Sequence, residues 1–254
     1  MHVLITNDDG PESDGLTALH AALEPHADVS VVVPDRERSA CSHIVGLHRP
    51  ISVAEFRHAE IGDIYVVDGS PADCVRLAMG AILTRSVDWV ISGINQGANI
   101  GVDVFYSGTV AAAREAAIQG IPAIAFSQFI RPQTQPNWKL ASELAELLFD
   151  HLTRLGPPRP HYWNVTFPAS STGGEPPAVD VVRLSIDGLP LRYAQEPATD
   201  ASPGGYRYHG VYLDRSQAEG TDVRTVFSGR VAVTPMTLEV TCPEFLNQTM
   251  PQPG

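Results

Sequence analysis

Along the first half of the chain, short apolar runs alternate with longer stretches whose apolar positions repeat at helical spacing. The runs at 3–6, 29–33, 64–67, 87–91 and 123–127 have the length and Val/Ile content of buried strands. Between the first two, 16–23 reads as an amphipathic helix. Ser70-Pro71-Ala72-Asp73 offers an N-cap serine, a proline at the first helical position and an acid in the first turn, which predicts a helix to about 83. A further helix is expected over about 109–119, closed by Gly120 with Pro122 beyond, and another over 138–155, stopped by Gly156-Pro157-Pro158. This alternation predicts an α/β fold with a mainly parallel sheet covered on both faces, and such sheets bind ligands beyond the C-terminal ends of their strands.

From residue 162 the pattern changes. WNVTF, VVRLSI, RVAVT and TLEV read as strands, joined by Gly/Ser/Pro-rich connections at 170–177 and 201–205. The expected organisation is a metal- and phosphate-binding core over 1–169 and a β-rich extension over 170–254 that supplies substrate loops. The PQPG end is expected to fray.

Composition narrows the function. With 254 residues, 43% of them hydrophobic and 18% charged, the chain suits a compact fold. A net charge of −12 without any Lys/Arg run argues against a nucleic-acid or anionic-membrane partner. A small phosphorylated substrate would feel the same repulsion, so its site needs a local positive source such as a metal ion or a helix N-terminus. Three widely spaced cysteines, Cys41, Cys74 and Cys242, fit a reducing compartment. With a strand-like HVLIT at the start and no apolar stretch long enough for a membrane span, the expected location is cytoplasmic.

Candidate chemistry gathers at the strand ends. Thr6-Asn7-Asp8-Asp9-Gly10 places two adjacent carboxylates after the first strand. Within a strand they would face opposite ways, but the Gly10-Pro11 turn allows them to converge on a hard cation; the plainer reading is a turn with a helix-capping Asp. The second strand ends in Pro34-Asp35-Arg36-Glu37-Arg38-Ser39-Ala40, where Ser39 offers a hydroxyl and the two arginines face either phosphate or the neighbouring acids. Ser92-Gly93-Ile94-Asn95-Gln96-Gly97-Ala98-Asn99 offers the neutral oxygen of Asn95 and the amide donor of Asn99, in a glycine spacing that matches neither GxGxxG nor a P-loop. Ser107, Gly108 and Thr109 open a helix whose free N–H groups and dipole suit a phosphate.

Several blocks also resemble the SurE survival-protein nucleotidases: ITNDDG at 5–10, PDRERSACSH at 34–43, DGSPADCVRLA at 68–78, the long run at 92–127, and GTDVRTVFSGRVAVTPM at 220–236. The resemblance implies a Rossmann-like three-layer core and hydrolysis of nucleoside monophosphates. It also implies one divalent cation, magnesium or manganese, held by Asp8, Asp9, Ser39 and Asn95, and a homodimer or homotetramer built through the C-terminal part. Ala40-Cys41 stands where the family commonly has Gly-Ala, and 206–213 departs from its pattern.

On this reading Asp8, Asp9 and Asn95 are catalytic, and Asn99, Ser107, Gly108 and Thr109 bind the substrate phosphate. His43, His48 and His209 are candidates for a general acid, and Tyr106, Tyr206 and Tyr208 for stacking on a base. Two rivals remain. A phosphatase of the haloacid dehalogenase type would need a carboxylate nucleophile at position 7, where this chain has Asn7. A nucleotide-sensing protein would have little need for paired aspartates.

Overall fold

The computed structural model describes residues 1–156, 161–169, 176–199 and 203–246. In chain order the elements are β1 (His2–Thr6), α1 (Asp14–Leu23), β2 (Asp28–Pro34), β3 (Val53–His58), β4 (Gly62–Val67), α2 (Pro71–Leu77), β5 (Trp89–Gln96), α3 (Gly108–Ile118), β6 (Ala123–Gln128), α4 (Trp138–Leu155) and β7 (His161–Phe167). Then follow β8 (Val179–Val181), β9 (Tyr193–Glu196), β10 (Gly205–Tyr208), α5 (Asp222–Phe227) and β11 (Val231–Thr237). Nine strands form one sheet in the order β3-β4-β2-β1-β5-β6-β7-β11-β8. The six strands from β4 to β7 in that order are mutually parallel, with antiparallel pairings only for β3 on β4 and β11 on β7.

The alternation of strand side chains builds two cores. Val3 and Ile5 of β1 pack with α1 and α4 on one face, through Leu16, Leu19, Leu148 and Phe149. Leu4 faces the other way and packs with Val75 of α2 and Val110, Ala113 and Ala116 of α3. Three layers result, and the α/β class read from the sequence is the observed one. β8 and β11 join the same sheet as β1 to β7, while β9 and β10 pair only with each other. Among the described residues no helix is long and apolar enough to cross a membrane.

Several boundaries differ from expectation. The strand anticipated at 87–91 runs from Trp89 to Gln96, because pairing with β6 resumes after a register shift between Ser92 and Asn95. The helix expected to reach 83 is α-helical only to Leu77 and continues as a π-helical turn over Ala78–Ile82. Of VVRLSI only Val181 lies in a strand; the backbones of Arg183 and Ser185 bond instead to the backbone and side chain of Asp222. TLEV leaves the sheet after Thr237, and Leu238 packs beside the second core. The polar edge strand β3, the β9–β10 hairpin and the short α5 went unanticipated, since none carries a run of buried apolar residues. Residues 170–175 and 201–202 of the two Gly/Ser/Pro-rich connections, and the PQPG end, lie outside the described residues.

One buried charge braces α2, α3 and the loop after β2. Glu115, 2% exposed, accepts from His43 Nε2 at 2.8 Å, Arg76 at 3.0 Å and Gln119 at 2.8 Å. Arg114 Nε donates to His43 Nδ1 at 2.9 Å, so the ring presents its N–H to Glu115. Burial works against ionisation of Glu115, but the bonds from His43, Gln119 and Arg76 outweigh it and hold the carboxyl down at about 2. A depressed carboxyl contributes stability that is full above its unfolded value near 4.5 and lost as pH falls toward 2. Replacing Glu115→Gln should therefore cost about 3 kcal/mol near pH 7, and the gap between the urea midpoints of variant and parent should close between about pH 4.5 and 2.

Candidate active site

β1 has β2 on one side and β5 on the other, and the chain winds outward in both directions from this pair. The crevice beyond the C-terminal ends of β1 and β5 is thus a topological switch point, where neighbouring loops part and leave room for a ligand. The loops carrying Asp8, Asp9 and Ser39 leave the sheet at this edge, and Asn95 stands next to the last residue of β5.

The turn after β1 is held by Asn7. Its Nδ2 donates to Gly10 O at 2.7 Å and to Ser13 Oγ at 2.9 Å, while its Oδ1 accepts from Gly10 N at 3.2 Å. With its amide spent on the turn, Asn7 shapes the loop and does not face a substrate, which counts against the haloacid dehalogenase template. The turn points Asp8 at the start of α3. Thr109 Oγ1 donates to Asp8 Oδ1 at 2.6 Å, and the amides of Gly108 and Thr109 also bond this carboxylate. A Cβ at position 108 would lie 2.9 Å from Asp8 Oδ2, so only glycine allows the approach. The helix end expected to receive phosphate therefore already holds an acidic side chain. Ser107 caps α3, its Oγ accepting from Val110 N at 3.0 Å.

Asp9 faces a cavity of about 400 Å³ walled by Glu12, Asp14, Glu37, Ser39, Gln96 and Trp138. Its Oδ2 accepts from Gln96 N at 3.3 Å. Burial raises the Asp8 carboxyl above its ordinary value, and burial followed by the charge of Asp8 raises Asp9 to about 7. Among the described residues no Lys or Arg pairs with either group. Arg36 and Arg38 bond Asp35, as the blander reading had it, but their second partner is Asp68 and not the expected Glu37, which accepts from Ser39. Ser39 donates to Glu37 at 2.7 Å on the cavity wall. Asn95 follows the register shift in β5, and its Nδ2 donates to Gly97 O at 2.7 Å; it is not among the residues that line the cavity with Asp9 and Ser39. Asn99 is 7% exposed, and its Nδ2 is a buried donor with no partner.

No three His, Cys, Asp or Glu side chains cluster as a metal group among the described residues. The available donor set is two carboxylates with neutral hydroxyl and amide oxygens. Two adjacent acids with raised proton affinity, Asp8 buried and Asp9 half-buried and opening on an acidic cleft, fit a hard divalent cation that would neutralise both.

Other candidates lie elsewhere. His43 is committed to Glu115, and His48 and His209 are exposed. Tyr206 and Tyr208 sit on the β9–β10 hairpin, and Tyr106 is 57% exposed. Cys41, unusual for its position, places its sulfur 3.1 Å from where a Gly108 Cβ would lie, and burial raises its thiol.

The sequence of the whole chain fits this geometry to a known group. The profile of the family described as Survival protein SurE matches residues 3–187. The chain belongs to the SurE family. It is 38% identical over 245 residues to the 5'-nucleotidase SurE of Geobacter sulfurreducens, covering 95% of this chain and 89% of that protein. It is 36% identical over 244 residues to the 5'-nucleotidase SurE of Syntrophotalea carbinolica, covering 95% and 93%. The crystal structure of the SurE protein from Aquifex aeolicus superposes with a TM-score of 0.81 at 33% identity, covering 97% of each chain.

Beyond the family profile's span, a second set of residues grips the SurE loop that bears Asn99. Arg215, 6% exposed, donates to both oxygens of Asp103 at 2.8 Å and to Ile100 O at 3.1 Å. Tyr212 OH bonds Asp103 at 2.7 Å and Ala98 O at 3.1 Å, and the fully buried Asp222 accepts from Gly101 N at 2.7 Å. Sequence reasoning missed all four, because partners more than 100 residues apart leave no spacing signal; Asp103 and Asp222 lay within quoted blocks but had no visible role. Replacing Arg215→Met should free this loop, and hydrogen exchange of the amides at 98–103 should speed by at least about tenfold while those of β1 stay protected.

Proposed function

We propose that this SurE-family chain is a phosphomonoesterase that hydrolyses nucleoside 5'-monophosphates, and 3'-monophosphates as a second substrate, with one divalent cation. The observation that carries the reading is the buried Asp8 beside the half-buried Asp9 at the switch point, with no cationic side chain among the described residues to balance them, on a chain similar to proteins named 5'-nucleotidase SurE. Asp8, Asp9, Ser39 and Asn95 would hold the cation, and oxygen donors of this kind suit magnesium or manganese. When bound, the cation supplies positive charge for a phosphate oxygen and lowers the pKa of an attacking water.

The chain's own residues do the rest. Thr109 and the first amides of α3 fix Asp8 in one orientation. Asp9, facing the cavity, is placed to accept a proton from the attacking water. Asn95 and the Asn99 side-chain amide would orient phosphoryl oxygens as charge shifts, while Ser107, Gly108 and Thr109, whose donors and cap are spent on Asp8 and on the helix start, act through that carboxylate. Three free thiols, one of them the exposed Cys242, support residence in the cytoplasm. Exposed Ile186, Leu191, Tyr193 and Tyr206 support a homodimer or homotetramer formed through the C-terminal part.

Phosphate release from nucleoside 5'- and 3'-monophosphates should require magnesium or manganese and stop with chelator. The Asp8→Asn variant should lose about a thousandfold in kcat without losing its urea midpoint, and turnover retained in that variant would overturn the assignment.

The raised Asp9 carboxyl also sets a sign. In the metal-free protein the folded state holds a proton on Asp9 that the unfolded chain releases near 3.8, so this group's contribution to stability declines as pH rises from about 4 to 7. A cation must displace that proton below about 7. Manganese affinity followed by calorimetry should therefore strengthen up to about tenfold per pH unit below 7 and level off above it.

A further inference from the structure

A second cavity opens beside the loop that bears Asn99, and the proposed chemistry makes no use of it. Its volume is about 300 Å³, within the range of small-ligand sites, and it is lined by Ala98, Phe129, Ile130, Val211, Tyr212 and Leu213, with a glycine and a proline at the rim. Its floor is aromatic. The rings of Phe129 and Tyr212 lie 6.0 Å apart at 22°, and Phe227 packs on both at 5.0 and 6.0 Å. Tyr212 is held in place by its bonds to Ala98 O and Asp103 and by the Arg215 guanidinium 4.3 Å from its ring centre.

The cavity lies at the same edge of the sheet as the carboxylate pair. Phe129 directly follows β6, the strand next to β5, and Gly97 N is bonded to Gln128 O at 3.0 Å. Ala98, which lines the pocket, is one residue from Asn99, whose side-chain amide is unpartnered among the described residues, and three from Asn95, so one short stretch of chain joins the pocket to the proposed phosphate ligands. The lining has one polar side-chain group, the Tyr212 hydroxyl, and it is already bonded to the protein.

We infer that this pocket receives the base of the nucleotide, which stacks against the Phe129–Tyr212 wall while the phosphate reaches Asn99 and the Asp8–Asp9 pair. The inference rests on the nucleotidase reading and adds to it where the base sits and how it is recognised. Recognition is by the flat apolar face of the ring and not by its hydrogen-bonding edge, since no lining side chain has a free donor or acceptor to read that edge. Tyr206 and Tyr208, on the separate hairpin, take no part in it.

The test compares AMP, UMP and ribose 5-phosphate as substrates of the full-length protein with manganese. The parent should show a KM for AMP and for UMP at least about tenfold below that for ribose 5-phosphate. Leu213→Trp, which fills the pocket from its exposed rim, should raise the KM for AMP about tenfold with kcat within about twofold, and should leave ribose 5-phosphate unchanged. Phe129→Leu, which keeps an apolar side chain but removes the ring face, should shift KM in the same direction. Equal KM values for AMP and ribose 5-phosphate in the parent, or equal losses on both substrates in Leu213→Trp, would overturn the pocket while leaving the nucleotidase intact. A change of sedimentation in Leu213→Trp with an unchanged KM for AMP would assign the pocket to subunit contact and overturn it too. Release of phosphate from none of the three substrates would remove the nucleotidase reading itself.

Discussion

At the switch point a buried carboxylate, Asp8, adjoins a half-buried one, Asp9, with no side-chain cation among the described residues to neutralise them, and the site is arranged around that electrostatic burden. Adjacent acids in a low-dielectric crevice repel each other and resist ionisation. The fold eases the burden at Asp8 with hydrogen bonds from the first turn of α3, and this fixes how closely the helix must approach β1. That approach is why position 108 has no side chain. At Asp9 relief is left incomplete, since a single backbone donor meets it and the facing walls carry Glu12, Asp14 and Glu37. An arrangement that stores unbalanced negative charge at the mouth of a cleft attracts divalent cations from solution before any anion can enter.

Much of this could be read from the linear chain, for identifiable reasons. A parallel sheet is buried on both faces, so its strands β1, β2, β5 and β6 register as short apolar runs, and each is followed by the loop that carries chemistry. Asp8 and Asp9 drew notice because adjacent acids after such a run have no strand role. Ser70 and Asp73 drew notice because a capping box is local, and the structure forms it with Asp73 N bonded to Ser70 Oγ at 3.1 Å.

What escaped reading is non-local or lacks an apolar signature. β3 is an exposed edge strand whose residues alternate without a buried face. The grip of Tyr212, Arg215 and Asp222 on the 98–103 segment joins residues that polarity alone would place on the surface; only packing shows that Arg215 and Asp222 are buried. The same limit explains the tyrosines. Sequence distance offers no means of telling Tyr206 and Tyr208, which end on the hairpin, from Tyr212, which lies against the loop of Asn99.

The insertion of β11 between β7 and β8 has a bearing on how the molecule comes into being. During synthesis the N-terminal strands β1 to β7 emerge first, carrying every oxygen donor of the proposed cation site. The segments that steady the Asn99 loop, at Tyr212, Arg215 and Asp222, and the strand that completes the sheet's far side emerge only after all of these. A nascent chain thus displays its acidic pair early but lacks the brace that orders its phosphate-facing loop, and the long sequence separation of those contacts makes their formation a late event.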